Sequence, residues 1–273
     1  MDKKVILVTG ATDGIGLGTA SRLADLGATV LLHGRNSERL AAAREEIARN
    51  SGNEAVETIR ADFTVLDEVR ALADAIAGKY GSLDVLINNA GIGSGGRGAK
   101  EREMSKDGFE LRFQVNHLAP FLLTHLLLPS LGAPGHARVV NVASAAQTPI
   151  DFANVMLARG YSGRRAYAQS KLAMVMATFE FAERLDAGSV TVNALHPGSL
   201  LDTKMVRESY GAAMGPVETG IDSELYLAAS AELEGVTGAY YDRIRPARAD
   251  AQAYDSDLRR QLWALSTELV GLG

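Results

Sequence analysis

Val5-Ile6-Leu7-Val8-Thr9-Gly10-Ala11-Thr12-Asp13-Gly14-Ile15-Gly16 decides how this chain folds. A short apolar run ends in a turn containing three glycines, and a helical pattern begins at once and runs over residues 15–26. Strand, tight turn and helix in immediate succession make a site for an anionic group. The glycines let backbone approach a pyrophosphate, and the helix start presents unpaired N–H groups and the positive end of its dipole. The spacing is GxxxGxG and not the GxGxxG of the standard dinucleotide fold. Thr9, Gly10, Thr12, Asp13, Gly14, Ile15 and Gly16 are the candidate residues of this phosphate end.

Working outward, further short apolar runs predict strands at residues 29–33, 56–61, 83–88, 138–143 and 190–195, with a weaker one at 238–241. Helical patterns lie between them at 37–50, 66–78, 108–131 and 165–185, and an amphipathic one closes the chain at 257–272. Strands alternating with helices, the strands apolar throughout, indicate a parallel sheet covered on both faces. Right-handed crossovers then give an α/β, doubly wound, Rossmann-type sheet of about seven strands. The 273 residues fit one dinucleotide-binding domain spanning 1–273. Its loops at 145–166 and 198–220 exceed what connection requires and are expected to wall a substrate cleft, as is a third at 93–106. Met205, Tyr210 and Met214 suggest an adaptable apolar wall.

Composition narrows the function. Apolar residues make up 47% and charged residues 22%, with a net charge of −5, so a basic nucleic-acid surface is not expected. There are no cysteines, which removes disulfides, thiolate catalysis and zinc–cysteine sites. His33, His117, His125, His136 and His196 show no metal spacing, so no metal is expected and each reads as a strand-end or helix-surface residue. The longest apolar stretch, residues 118–128, is interrupted by Pro120, Thr124 and His125, and no signal segment precedes Val5. No membrane span and a cytoplasmic location are expected.

Tyr167-Ala168-Gln169-Ser170-Lys171 carries the second signal. Positions i and i+4 share a helical face, so an ammonium can sit beside a phenol. A cation there favours the phenolate and lowers a pKa that is about 10 when unperturbed, which suits Tyr167 to proton transfer near neutral pH. Ser144 ends the strand Val139-Val140-Asn141-Val142-Ala143, at the sheet end where such folds bind ligands. No GxSxG elbow surrounds it, so it is read as a hydrogen-bond donor to a substrate oxygen and not as a hydrolase nucleophile.

TGxxxGxG, Asn88-Asn89-Ala90-Gly91 after the fourth strand, and Asn116, Ser144, Tyr167 and Lys171 in that chain order resemble the short-chain dehydrogenase/reductase family over nearly the whole chain. Leu262-Trp263 and Ser266 near the C-terminus resemble the tails of its retinol-dehydrogenase-like branch. The resemblance implies a nicotinamide cofactor, with Asn89, Ala90 and Gly91 lining its adenosine side and Asp62-Phe63 at the adenine. It implies that Lys171 also holds ribose hydroxyls and that Asn116 supports a water-linked proton relay. After Pro197-Gly198 a threonine meets the carboxamide; usual spacing gives Asp202, and the role is transferred to Thr203. The family pairs its two long central helices across a two-fold axis, which implies a homodimer or homotetramer. The gap between Ser144 and Tyr167 is longer than is common in the family, and Tyr161, within the excess, is expected to touch substrate.

The end of the second strand, Leu32-His33-Gly34-Arg35-Asn36, chooses the cofactor. A carboxylate there would bind a ribose 2′-OH and repel a 2′-phosphate. Gly34 stands where family members that use NAD carry Asp. Arg35 follows, and a guanidinium pairs bidentately with phosphate. With Asn36 beside Arg35, NADP (as NADPH) is expected and NAD is the alternative. The expected activity is hydride transfer between that cofactor and a carbonyl or secondary alcohol, a small molecule of medium size and apolar character. A non-catalytic NADP-binding regulator is the rival, though it would have no need of Ser144, Tyr167 and Lys171. A cofactor-retaining epimerase or dehydratase is the other, though such relatives differ in glycine spacing and carry a larger C-terminal region.

Overall fold

The computed structural model describes residues 1–95, 101–133 and 135–273, with the side chains of Ser209 and Tyr210 left aside. The central part of the expected 93–106 wall and the Tyr210 side chain therefore lie outside the described residues. The chain runs β1 (Val5–Val8), α1 (Gly14–Asp25), β2 (Thr29–Gly34), α2 (Ser37–Ser51), β3 (Val56–Arg60), α3 (Leu66–Tyr80) and β4 (Val85–Asn88). It continues with α4 (Leu111–Phe113), a π turn (Gln114–Leu118), α5 (Ala119–Gly132), β5 (Ala137–Val142), α6 (Gly163–Arg184) and β6 (Val190–His196). The last part holds α7 (Lys204–Tyr210), α8 (Glu218–Ala229), β7 (Tyr240–Asp242), β8 (Arg245–Pro246) and α9 (Ser256–Leu269).

The sheet order is β3-β2-β1-β4-β5-β6-β7-β8, parallel but for the β7–β8 pair. β8 is the strand beyond the expected seven. Two residues carry no period to read, and Pro246 has no N–H to give, which suits only an edge. Alternate residues of each strand feed two cores: Leu7 and Leu31 face α3, α5, α6 and α9, whereas Ile6, Val8, Val30 and Leu32 face α1, α2 and α8. Between β1 and β4 the chain departs to opposite sides, and this switch point opens a crevice beyond the C-terminal strand ends.

Three local differences from the sequence reading matter. The pattern at 108–131 is interrupted by the π turn, because Pro120 has no N–H for the Asn116 carbonyl four residues back and the ladder breaks there. The 198–220 segment is not plain loop: Thr203 caps α7 through the Val206 amide, and α8 begins at Glu218. Residues 168–181 of α6 are all buried within one chain, where α9 packs on α6 through Trp263 and Arg259.

Candidate active site

The glycine turn is held by its neighbours. Gly10 has φ +68°, and a Cβ there would lie 2.8 Å from Ala90 Cα; at Gly16 one would lie 2.6 Å from the Gly10 carbonyl oxygen. Asn89 Nδ2 donates to the carbonyls of Thr9 (2.8 Å) and Gly10 (3.2 Å), and the Ala90 amide donates to Thr9 Oγ1 (2.9 Å). The Asn89 side chain thus braces the turn from behind and shapes the crevice through it. Asp13 caps α1, accepting from the Gly14 amide at 2.7 Å, and pairs with Arg39 at 3.0 Å. Thr203 faces the same turn, its Cγ2 3.3 Å from where a Gly14 Cβ would stand, whereas Asp202 turns away to Arg207. Glycine at 10 and 16 lets the turn close against Asn89 and Ala90, and the strand–turn–helix geometry at the start of α1 fits a pyrophosphate.

His33, a strand-end residue as expected, is buried at the end of β2. Its Nε2 lies 3.0 Å from the Ala61 carbonyl oxygen, which can only accept, so that nitrogen carries the hydrogen and Nδ1 accepts from the Gly10 amide. Burial lowers the imidazole pKa to about 4, so the ring stays neutral while stacking on Phe63 at 4.4 Å. His117 and His196 are also buried. Gly34 has its own reason: a Cβ there would meet Thr12 Cγ2 at 2.7 Å. Arg35 is exposed and has no ion pair among the described residues, and Asn36 caps α2 through the Arg39 amide. Asp62 is partly buried, which alone would raise its pKa, but the Thr64 amide and Lys106 hold the carboxyl below its ordinary value. Arg39 was missed by the sequence reading, although its spacing of four from Arg35 across a helix start was the available signal.

At the chemical end, Lys171 is buried and donates to the Val142 carbonyl at 2.7 Å, with its Nζ 5.9 Å from the Tyr167 ring centroid. Burial lowers its pKa to about 8, with Glu224 opposing, so the ammonium persists at neutral pH. Asn116 Oδ1 accepts from the Ile92 amide at 2.8 Å, and its Nδ2 donates to Ser170 Oγ at 3.0 Å; Ser170 in turn donates to the Tyr167 carbonyl. A Cβ on Gly91 would lie 3.2 Å from Asn116 Oδ1 and 3.5 Å from Lys171 Nζ, so Gly91, Asn116 and Lys171 meet at one point. Ser144 follows β5, its Oγ accepting from the Ala146 amide at 3.1 Å. Tyr240 donates to the Ser144 carbonyl at 3.1 Å and lies within electrostatic reach of Tyr167. Burial pushes the Tyr240 phenol up to about 12, so it remains a donor.

Around this centre, Pro197 and Gly198 lead out of β6, and Gly198 (φ +131°) packs against Leu201. The 147–164 segment is tied to the C-terminal region by Ile150 N to Gln252 Oε1 (2.6 Å) and Asp250 N to Gln147 Oε1 (2.8 Å). Tyr161, expected at the substrate, instead accepts from Arg112 Nη1 at 2.8 Å. Arg112 is buried, binds the Gly93 carbonyl and pairs with Glu103 and Glu110, so Tyr161 belongs to a polar joint between loops.

Glu224 on α8 is fully buried, accepts from Thr19 Oγ1 at 2.8 Å and feels Lys171. It escaped the sequence reading because α8 did. Burial raises its pKa from 4.5 to about 8, so between those values it is neutral when folded and ionised when unfolded. Stability from this group is present below the lower value and is lost as pH rises towards the upper. The advantage of wild type over Glu224→Gln should therefore shrink from about pH 4.5 to about pH 8 in denaturant titrations. His33 and His117 contribute the opposite slope equally to both proteins, and a pH-independent difference would contradict the assignment.

A sequence profile of the short chain dehydrogenase family matches residues 4–212. Human retinol dehydrogenase 13 is 38% identical over 287 aligned positions, which span 98% of this chain and 85% of that protein. An uncharacterized protein from Mycobacterium paratuberculosis superimposes with a TM-score of 0.81 at 32% identity, covering 99% of this chain and 94% of that one. A short chain dehydrogenase from Shigella flexneri, complexed with NADP, gives a TM-score of 0.71 at 28% identity, covering 89% of this chain and 98% of that one. The profile match over most of the chain and the identity to retinol dehydrogenase 13 show that the chain belongs to the short-chain dehydrogenase/reductase family of oxidoreductases, in its retinol-dehydrogenase-like branch.

Proposed function

We propose that residues 1–273 act as one dinucleotide-binding unit that prefers NADP and interconverts a carbonyl and a secondary alcohol of medium size and apolar character. The observation that carries this reading is the buried Lys171 ammonium beside Tyr167, with Asn116 Oδ1 and Lys171 Nζ both close to the Gly91 Cα. When bound, the nicotinamide group supplies or takes the hydride. The chain's own residues do the rest. The Gly10–Gly16 turn and the start of α1 receive the diphosphate, Thr203 faces that turn, and Asp62 and Phe63 border the adenine side. Tyr167 gives its phenolic proton to the carbonyl oxygen as negative charge develops there, and the Lys171 cation stabilises the phenolate left behind. Ser144 orients the same oxygen. Asn116, whose carbonyl has no N–H to accept from at Pro120 four residues on, supports a water through which the Tyr167 phenolate regains its proton from solvent.

Arg35, exposed and without an ion pair among the described residues, supports NADP over NAD, as does the bound NADP of the Shigella flexneri relative. Retinol dehydrogenase 13 supports an apolar alcohol or carbonyl substrate. Among the described residues no helix is long and apolar enough to cross a membrane.

The test is NADPH and NADH consumption against a panel of apolar ketones and aldehydes, with wild type and Arg35→Ala. Loss of a charged hydrogen-bonding partner of about 1.5–3 kcal/mol predicts a fall in kcat/KM for NADPH of roughly tenfold to a hundredfold. The NADH value should stay within about twofold. Equal losses with both cofactors would remove Arg35 from the choice, and no turnover with either would favour the regulatory reading.

A further inference from the structure

We propose that the C-terminal helix α9 is a positioning element for the Asn116 turn, acting through the buried hydrogen bond between His117 and Ser266. The proposal rests on the reading above in which Asn116 and Lys171 serve the reaction. α9 lies wholly beyond the residues 4–212 that match the family profile. It nevertheless docks directly behind the centre of the site. His117, next to Asn116 in the π turn, places Nε2 2.8 Å from Ser266 Oγ, and the two residues are 1% and 0% exposed. His117 Nδ1 is buried and has no hydrogen-bond partner among the described residues, so the Ser266 bond is the ring's polar anchor.

α9 also grips α6. Arg259 is buried and pairs with Glu183 and, at 3.5 Å, with Glu180. Trp263 meets Phe121 of α5 edge-on at 5.0 Å and Phe181 of α6 at 4.7 Å. One helix therefore holds the π turn on one side and α6 on the other. The side chain of Asn116 spans the same two elements through Ser170. The separation of Asn116 from Lys171 and Tyr167 is set by how α9 seats both. Leu262 and Trp263 would fill the space without help, but apolar contact tolerates sliding. A buried polar pair that loses its bond when displaced does not.

The experiment compares Ser266→Ala and Ser266→Thr with wild type, well below the unfolding temperature of each. Two quantities are read: kcat and KM with NADPH and the best carbonyl substrate, and hydrogen exchange of amides 114–118 against those of α1. The expected result for Ser266→Ala is a fall in kcat of roughly tenfold at unchanged KM. Exchange should quicken at 114–118 and not in α1, and Ser266→Thr should restore both. Unchanged kcat, or exchange rising equally in α1, would overturn the proposal, because α9 would then be only structural. If Ser266→Ala does not fold, Ser266→Cys, a weaker partner of similar size, replaces it with the same expectations. Asn116→Ala is measured alongside. Full kcat in that variant would sink the role given to Asn116. Loss there with none in Ser266→Ala or Ser266→Cys would sink only the inference about α9.

Discussion

Tyr167→Phe should lower kcat by about 10²–10⁴-fold, the usual worth of a positioned general acid, while KM and NADPH affinity change little. The ring stays on the same face of α6, 5.9 Å from Lys171 Nζ, and only the hydroxyl is lost. The Ser170 hydrogen bond to the Tyr167 carbonyl is a backbone contact and survives. The deficit therefore belongs to the proton and not to the architecture. Steady-state kinetics and NADPH fluorescence titration check it together. A variant that retains more than a tenth of wild-type kcat would show that the proton comes from elsewhere. Tyr240 is the neighbouring phenol to examine in that case, since its hydroxyl is aimed at the Ser144 carbonyl.

Gly10→Ala should be strongly destabilising, and it comes with an internal control. Gly10 and Gly52 both have φ +68°, but a Cβ at Gly52 meets nothing within 4 Å, whereas at Gly10 it meets Ala90 Cα at 2.8 Å. Gly52→Ala reads the cost of the left-handed backbone alone, about 1 kcal/mol. Gly10→Ala adds overpacking against backbone that cannot rotate away, roughly a further 1–3 kcal/mol. It also forces β4 off the turn that Thr9, Asn89 and Ala90 close, so NADPH affinity should fall with stability. Urea titration of both variants measures the two contributions. Equal costs would mean that the crevice between β1 and β4 yields more easily than its contacts suggest.

These two expectations show where the sequence was readable. The glycine turn, the Tyr167–Lys171 pair and the apolar strands are local patterns, each within a few residues, and their chemistry follows from spacing. Tyr161 misled because its neighbours in the chain say nothing of Arg112, which arrives from α4 to bind it. The partners of His33 were likewise beyond the local sequence. Its burial comes from β3 and Phe63, and its bond to Gly10 from β1. Glu224 was passed over because a lone charge on a helix usually faces water, and only its packed neighbours decide otherwise. β8 was too short to have a period.

By itself the sequence determined the order of the first seven strands and of the helices between β1 and β6, the phosphate-binding turn, and which phenol and which ammonium share a helical face, because backbone periodicity and glycine stereochemistry are local. Only the tertiary structure decided that α9 closes over α5 and α6, that His117 meets Ser266, that Glu224 lies buried within reach of Lys171, and that Asn89 braces the turn. Those contacts join residues tens to hundreds of positions apart. Their energies come from burial and from desolvated hydrogen bonds, which exist only once the two cores have formed on either side of the sheet.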